Sequence, residues 1–244
     1  MRLAYDLLKR SLDLLASAVG LMVMLPVAIL IALGIRFTSP GPVFFTQTRI
    51  GRRGQHFRIV KFRTMRMDSE HEGSITTVLD QRVTRFGHVL RRYKLDEYPQ
   101  LWNVFVGNMS LVGPRPDIPG YADRLKGWDR RLLELRPGIT GPASLLFRDE
   151  ESLLACVSDP KAFNDEVIYP AKVTVNLEYL SRSSFWRDIG YIVATVAPAM
   201  TARTGLDSRL GLDYESFRRK MLQRSMPFRT PSGTEGDIQK GKAQ

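Results

Sequence analysis

The feature that most restricts what this chain can fold into is an uncharged run of 22 residues, Leu14 to Ile35, LLASAVGLMVMLPVAILIALGI. As a helix rising about 1.5 Å per residue it would reach roughly 33 Å, enough to enter or cross the hydrocarbon core of a bilayer. A core helix without a polar stripe would need a larger protein around it. A signal peptide has a shorter apolar region ending in small residues, whereas this run leads into SPGPVFF. Two features argue against a simple crossing. Pro26, near the middle, removes a helical hydrogen bond and crowds the preceding turn, so a bend is expected there. Arg2, Lys9 and Arg10 precede the run and Arg36, Arg49, Arg52 and Arg53 follow it, so both flanks look like cytoplasmic ends. The expected structure is a re-entrant membrane helix over residues 1–38, kinked at Pro26, that leaves the bilayer by the face it entered.

Charge then narrows the partners. Lys and Arg number 36 against 25 Asp and Glu, a formal charge of +11, which points to nucleic acid, acidic lipid or phosphate. Cys156 is the single cysteine, so no internal disulfide forms; it reads as a small packed hydrophobe, and His56, His71 and His88 lack zinc-ligand spacing. A length of 244 residues suits one substantial domain with an appendage.

Beyond the apolar run, SPGP at Ser39 to Pro42 is a rigid turn, and the alternating stretches on either side of Gly51 to Gly54 read as a β-hairpin. Met67 to Asp80 is polar and reads as a loop. Arg85 to Phe105 carries helical signals interrupted at Pro99. The loops GPRPD at Gly113 to Asp117 and RPGITGP at Arg136 to Pro142 flank an expected amphipathic helix containing Tyr121, Leu125, Trp128 and Leu132. Ala171 to Arg182 and Ser184 to Val196 read as two helices. The second sets Phe185, Ile189, Ile192 and Val196 on one face with Trp186 beside it, facing either the core or the membrane interface. ESFRRKMLQR is basic and amphipathic, suited to anionic lipid or to solvent, and the chain from Met226 reads as disordered. The expected class is α+β, mostly helical: the membrane helix at 1–38, a main domain at 39–200 with a small β-hairpin and interfacial amphipathic helices, and a basic extension at 201–244.

The chemistry candidates lie in a cationic setting. Seven Lys or Arg lie between Arg49 and Arg66 and five between Arg82 and Lys94, without one acid, and Asp96 and Glu97 follow at once. Adjacent carboxylates repel each other, which a fold tolerates when cations or a metal ion neutralise them. Three roles fit. One carboxylate binds Mg²⁺ while the other attacks phosphorus; or the two act as acid and base in hydrolysis; or both are helix N-terminal charges paired with Arg. Lys61, Arg63, Arg85, Arg91, Arg92, Arg115 and Arg148, several in Pro- or Gly-containing loops, suit phosphoryl transfer, which needs cations around the transferring group.

The motifs SPGPVFFTQTRIGRRGQHFRIVKFRTM, RVTRFGHVLRRYKLDEYPQLWNVFVGNMSLVGPRPD and RPGITGP resemble the bacterial sugar transferase family, the monotopic polyprenyl-phosphate phosphoglycosyl transferases, over roughly residues 5 to 195. The resemblance implies transfer of a sugar phosphate from a UDP-sugar onto undecaprenyl phosphate, with Mg²⁺, release of UMP and a covalent phosphosugar on Asp96. Glu97 would hold the metal. Lys61, Arg63, Arg91, Arg115 and Arg148 would bind substrate, Arg148 by its distance from RPGITG. The implied setting is the inner face of a bacterial cytoplasmic membrane, in the initiation of a lipid-linked glycan such as an exopolysaccharide, lipopolysaccharide or capsule. No nucleic acid is expected, and a homodimer is compatible with the resemblance. Leu25 stands where the family often has serine, PASLLF follows RPGITG where many members have an aromatic residue, and Asn176 stands where many have an acid. With no multi-span region ahead of it, the chain is expected to be a minimal catalytic version. The rival readings are a membrane-anchored protein binding acidic lipid or nucleic acid and a scaffold without catalysis.

Overall fold

The structure, a computed structural model, describes residues 2–66, 82–155, 157–200 and 206–225. The expected loop at Met67 to Asp80, the packing of Cys156 and the tail from Met226 lie outside these residues. The remainder is mostly helical, with two small sheets.

Helix α1, Arg2–Thr38, has 37 residues and is helical through Pro26 without a break. At about 1.5 Å per residue it is roughly 55 Å long. Its apolar stretch is long enough to cross a membrane, and only 11% of the most apolar window is buried. A core helix would be covered on all sides; this one is covered on one. Tyr5, Lys9, Asp13 and Ser17, four residues apart, and then Ile31 and Ile35 form the stripe that meets the rest of the protein. Met22, Val23 and Leu30 on other faces are exposed.

Docking is close because two glycines permit it. A Cβ on Gly20 would lie 2.9 Å from Leu101, and one on Gly34 would lie 2.7 Å from the Phe86 ring. Polar bonds fasten the first half. Arg10 donates to the carbonyls of Val104 and Phe105 at 2.7 and 2.8 Å, satisfying the end of α3 (Gln100–Phe105). Asp13, 1% exposed, accepts from the Leu111 N–H at 2.9 Å and from Ser110 at 3.2 Å. The Tyr98 hydroxyl donates to the Leu21 carbonyl at 2.8 Å, beside Met22, whose helical donor Pro26 lacks. Apolar contacts hold the second half, where Ile31 and Ile35 share a core with Phe62 and Leu90.

Strands β1 (Phe44–Ile50) and β2 (His56–Phe62) form the expected antiparallel hairpin, in register from Phe44 opposite Phe62 to Ile50 opposite His56. Thr84 caps α2 (Arg85–Arg92) by accepting from the Gly87 N–H. A 3₁₀ turn over Leu95–Glu97 then leads to Pro99 and α3. A short parallel pair, β3 (Ser110–Val112) and β4 (Gly138–Thr140), joins the proline loops. Helices α4 (Pro142–Leu146), α5 (Glu150–Ala155) and α6 (Pro160–Phe163) surround α7 (Tyr169–Arg182), and α8 (Phe185–Val196) packs beside α1. The basic segment Tyr214–Ser225 is helical and docks Met221 into the core of Phe147, Phe163 and Ile168.

One expectation is corrected and one left open is resolved. No helix spans Tyr121 to Leu132. Two 3₁₀ turns, Ala122–Arg124 and Asp129–Glu134, stand there, separated by Gly127 at φ 55, a left-handed conformation that stops a helix. Trp128 faces solvent with the Arg131 guanidinium 4.4 Å from its ring centre. In α8, read from the sequence as facing the core or the interface, the buried residues are Asp188, Tyr191 and Ala194; of the apolar stripe Ile192 packs against the core, while Val196, like Trp186, is 79% exposed. A buried carboxylate took the core face because Lys9, Tyr5 and Tyr179 converge on it, at 2.6, 2.9 and 2.6 Å.

Candidate active site

The acidic pair lies on the 3₁₀ turn between α2 and α3. Leu95 and Tyr98, on either side of it, pack against the core that joins α1 to the hairpin. Asp96 is 8% exposed, and its Oδ1 is buried without a hydrogen-bond partner. An unsatisfied buried carboxylate oxygen is costly in a fold and calls for an explanation. Burial and then the neighbouring Glu97 push the Asp96 carboxyl up, while Lys61, Arg91 and Lys94 pull it down.

Glu97 has the opposite environment. Its Oε1 accepts from Lys61 Nζ at 2.9 Å and from Arg115 at 2.5 Å. Burial alone would raise its pKa; Arg115 and Lys61 outweigh burial and hold it well below the usual carboxylate range. The pair is therefore split into one carboxylate tied to two cations and one with a free oxygen, the kind of division that assigns two chemical roles to two like groups. Lys61 comes from β2, where Val60 is fixed by Asn103 on α3, so the cation and the pair are positioned by one packed unit. Burial lowers the Lys61 pKa, Arg115 adds to that and Glu97 opposes it.

The remaining named residues divide. Arg91 donates through Nε to Thr64 at 3.0 Å and contributes to the field at Asp96. Arg148 lines a cavity of about 370 Å³ whose walls also carry Lys94, Arg115, Asp117, Tyr169 and Asn176. Arg63 is elsewhere. Its two terminal nitrogens donate to Pro40 and Ser39, at 2.7 and 2.8 Å, and it is buried beneath the SPGP turn. That geometry gives Arg63 a bracing position at the exit of α1, away from the pair, because the turn's carbonyls need donors the proline backbone lacks.

Sequence reasoning passed over several groups here. Asp117, Tyr169 and Lys172 line the cavity beside Arg115. Burial pushes the Asp117 carboxyl up to about 6 against the opposing Lys172 charge. Asn176, singled out only as a departure from the family pattern, is 4% exposed with an unpartnered Oδ1, and the Ser144 hydroxyl is likewise buried and unpartnered. Each of these residue types is too common in a sequence to stand out. The proximity of Asp117 to the PRP loop is the one signal that pointed toward the site. A larger open groove of about 540 Å³, lined by Arg52, Arg53, Arg130 and Arg131, has no such acidic pair.

The cavity is lined by cations, among them Lys94, Arg115, Arg148 and Lys172, by the acids Asp117, Glu150 and Glu151, and by the uncharged polar groups Ser144, Asn164 and Asn176. An apolar helix docked along such a domain defines a membrane-associated protein with a site suited to phosphate-bearing molecules. The chain belongs to the bacterial sugar transferase family, whose model matches residues 4–202. It is 36% identical over 198 residues to the UDP-glucose:undecaprenyl-phosphate glucose-1-phosphate transferase of Xanthomonas campestris pv. campestris, covering 79% of this chain and 38% of that protein. A protein of the same name from Caulobacter vibrioides is 36% identical over 206 residues, 82% of this chain and 72% of its own length. The exopolysaccharide production protein PSS of Rhizobium leguminosarum bv. phaseoli is 35% identical over 207 residues, 81% of this chain and 98% of its own length. The chain thus spans about two fifths of the Xanthomonas relative.

Proposed function

We propose that this protein transfers a sugar phosphate from a UDP-sugar to undecaprenyl phosphate at the inner face of a bacterial cytoplasmic membrane, releasing UMP, as the first step of a lipid-linked glycan. The names of its relatives support the substrate classes. The observation that carries the chemistry is the division within the acidic pair: Asp96 has an unpartnered buried oxygen, and Glu97 is tied to Lys61 and Arg115.

In this reading Asp96 Oδ1 attacks the phosphorus bearing the sugar, and the bond from that phosphorus to the bridging oxygen of UMP breaks. The UMP phosphate carries the electron pair away. A phosphate oxygen of the lipid then attacks the same phosphorus and returns Asp96 to its carboxylate. Arg115, Arg148 and Arg91 offset the charge that develops on the transferring group. Arg115 and Lys61 also keep Glu97 ionised.

Mg²⁺ suits the site in a limited way. No group of three or more His, Cys, Asp or Glu that could hold a metal occurs among the described residues. Mg²⁺ commonly uses one or two carboxylates with substrate phosphates and water, which matches Glu97, whose Oε1 is already taken by cations, together with Asp96. When bound, the ion supplies neutralisation of the diphosphate.

The docked face of α1 supports a re-entrant path. Residues from Tyr5 to Ile35 meet one domain, so a straight crossing would draw that domain into the lipid. The decisive experiment is UMP release by detergent-solubilised protein with Mg²⁺, undecaprenyl phosphate and a panel of UDP-sugars. UMP from one donor establishes reaction class and sugar together. UDP in place of UMP makes it a glycosyl transferase of another kind, and folded protein that releases neither favours the scaffold reading.

A further inference from the structure

The turn that carries the acidic pair starts on an uncommon backbone. Lys94 has φ 57 and ψ 20, the left-handed region that residues with a Cβ rarely occupy. Its N–H donates to the Arg91 carbonyl at 3.1 Å and its carbonyl accepts from the Glu97 N–H at 3.3 Å, so the conformation is held from both sides. Glycine or asparagine would adopt it at lower cost. A long cationic side chain needs another reason to be there.

The surroundings supply one. Lys61 and Arg115 are committed to Glu97, Arg91 to Thr64, and Arg49 to Gln47 and the Pro116 carbonyl. Lys94 is exposed and lines the cavity, and among the described residues its ammonium has no ion pair or hydrogen bond. The cations already spent on Glu97 cannot give their full charge to a ligand as well. A compact ammonium on a flexible stem, two residues from the nucleophile, can.

We infer that Lys94 is a further substrate-binding residue, whose ammonium takes a phosphate of the donor in the cavity while its left-handed backbone aims the turn bearing Asp96 and Glu97. The inference rests on the function proposed above. The donor is favoured over the lipid because Lys94 shares its cavity with Arg115 and Arg148, and the same cavity carries uncharged polar groups, Ser144, Asn164 and Asn176, suited to the rest of a nucleotide sugar.

Lys94→Gly removes the charge and eases the backbone; Lys94→Arg keeps the charge. Three readouts on the full-length protein in detergent test the idea: thermal unfolding, separate KM values for UDP-sugar and undecaprenyl phosphate, and calorimetric binding of UMP alone. The expected result is Lys94→Gly unfolding at or above the wild-type temperature, with KM for the UDP-sugar and Kd for UMP each raised about tenfold, and Lys94→Arg recovering most of both. A rise confined to the KM for undecaprenyl phosphate overturns the donor assignment in favour of the acceptor phosphate. Unchanged KM and Kd in stable Lys94→Gly overturn the inference and leave Lys94 a backbone residue. Wild-type protein that neither binds nor releases UMP removes the proposed function and this inference with it, whereas an active wild type with an unaffected variant removes the inference alone.

Discussion

At the scale of single residues, the two carboxylates should respond differently to the loss of their charge. Asp96→Asn keeps the size of the side chain and removes the proposed nucleophile, so UMP formation should fall by at least about a thousandfold with little change in unfolding temperature. Glu97→Gln leaves Lys61, already depressed by burial, without its counter-charge. Activity should fall roughly 10- to 100-fold, and unlike Asp96→Asn the variant should also lose stability. Kinetics beside calorimetric unfolding on both variants separates the two cases; equal stability losses would argue against the division of roles. Asp117 offers a pH test. Its folded pKa, about 6, lies above the ordinary carboxyl value, so the folded state binds this proton more tightly than the unfolded one. The associated stability is present at low pH and lost as pH rises from about 4 through 6. Asp117→Asn should therefore unfold at a higher temperature than the wild type at pH 7.5, with the advantage shrinking at pH 5, in parallel melts at the two values.

At the scale of elements, the fastening of α1 decides where the site stands relative to lipid. Lys9 and Asp188 form a buried pair at 2.6 Å, with both side chains largely shielded from water. Asp188→Asn would strand the Lys9 charge among tyrosines, at a cost of about 3 kcal/mol. The first half of α1 should loosen from α8, seen as faster protease cleavage near residue 10 in detergent while the hairpin stays intact. The stacked Trp102 and Phe105 rings on α3, exposed beside the α1 contact, add apolar surface next to that helix. The α8 stripe tells the complementary story. Helical spacing identified both that a helix exists and that one face is apolar, yet spacing cannot say whether an apolar face meets protein or lipid.

For the molecule as a whole, the net charge of +11 and the apolar helix, covered on one side only, belong together. A domain docked along the helix keeps its cations near a surface where anionic lipid and lipid phosphate gather. Re-entrance makes a topological prediction. Single cysteines in place of Asp6 and Thr38, in a Cys156→Ser background, should both resist an impermeant maleimide on intact cells and both react after the membrane is opened. Labelling of one of them from outside would establish a crossing.

The sequence by itself determined the existence of the apolar helix, the hairpin, the acidic pair in a cationic stretch and the family, because each rests on local periodicity or on residues close together in the chain. It could not determine that Lys61 and Arg115, 36 and 18 positions from Glu97, would meet on the same carboxylate oxygen while Arg63, two residues from Lys61, turns to Ser39 and Pro40 instead. In a strand, residues two apart share a face, but Arg63 lies just past the end of β2, where that rule lapses. Nor could it show that a buried aspartate would hold the core side of α8, or that Gly127 would break the helix that Tyr121, Leu125, Trp128 and Leu132 outline. These outcomes depend on desolvation and on which distant donors arrive, quantities that exist only once the chain has packed.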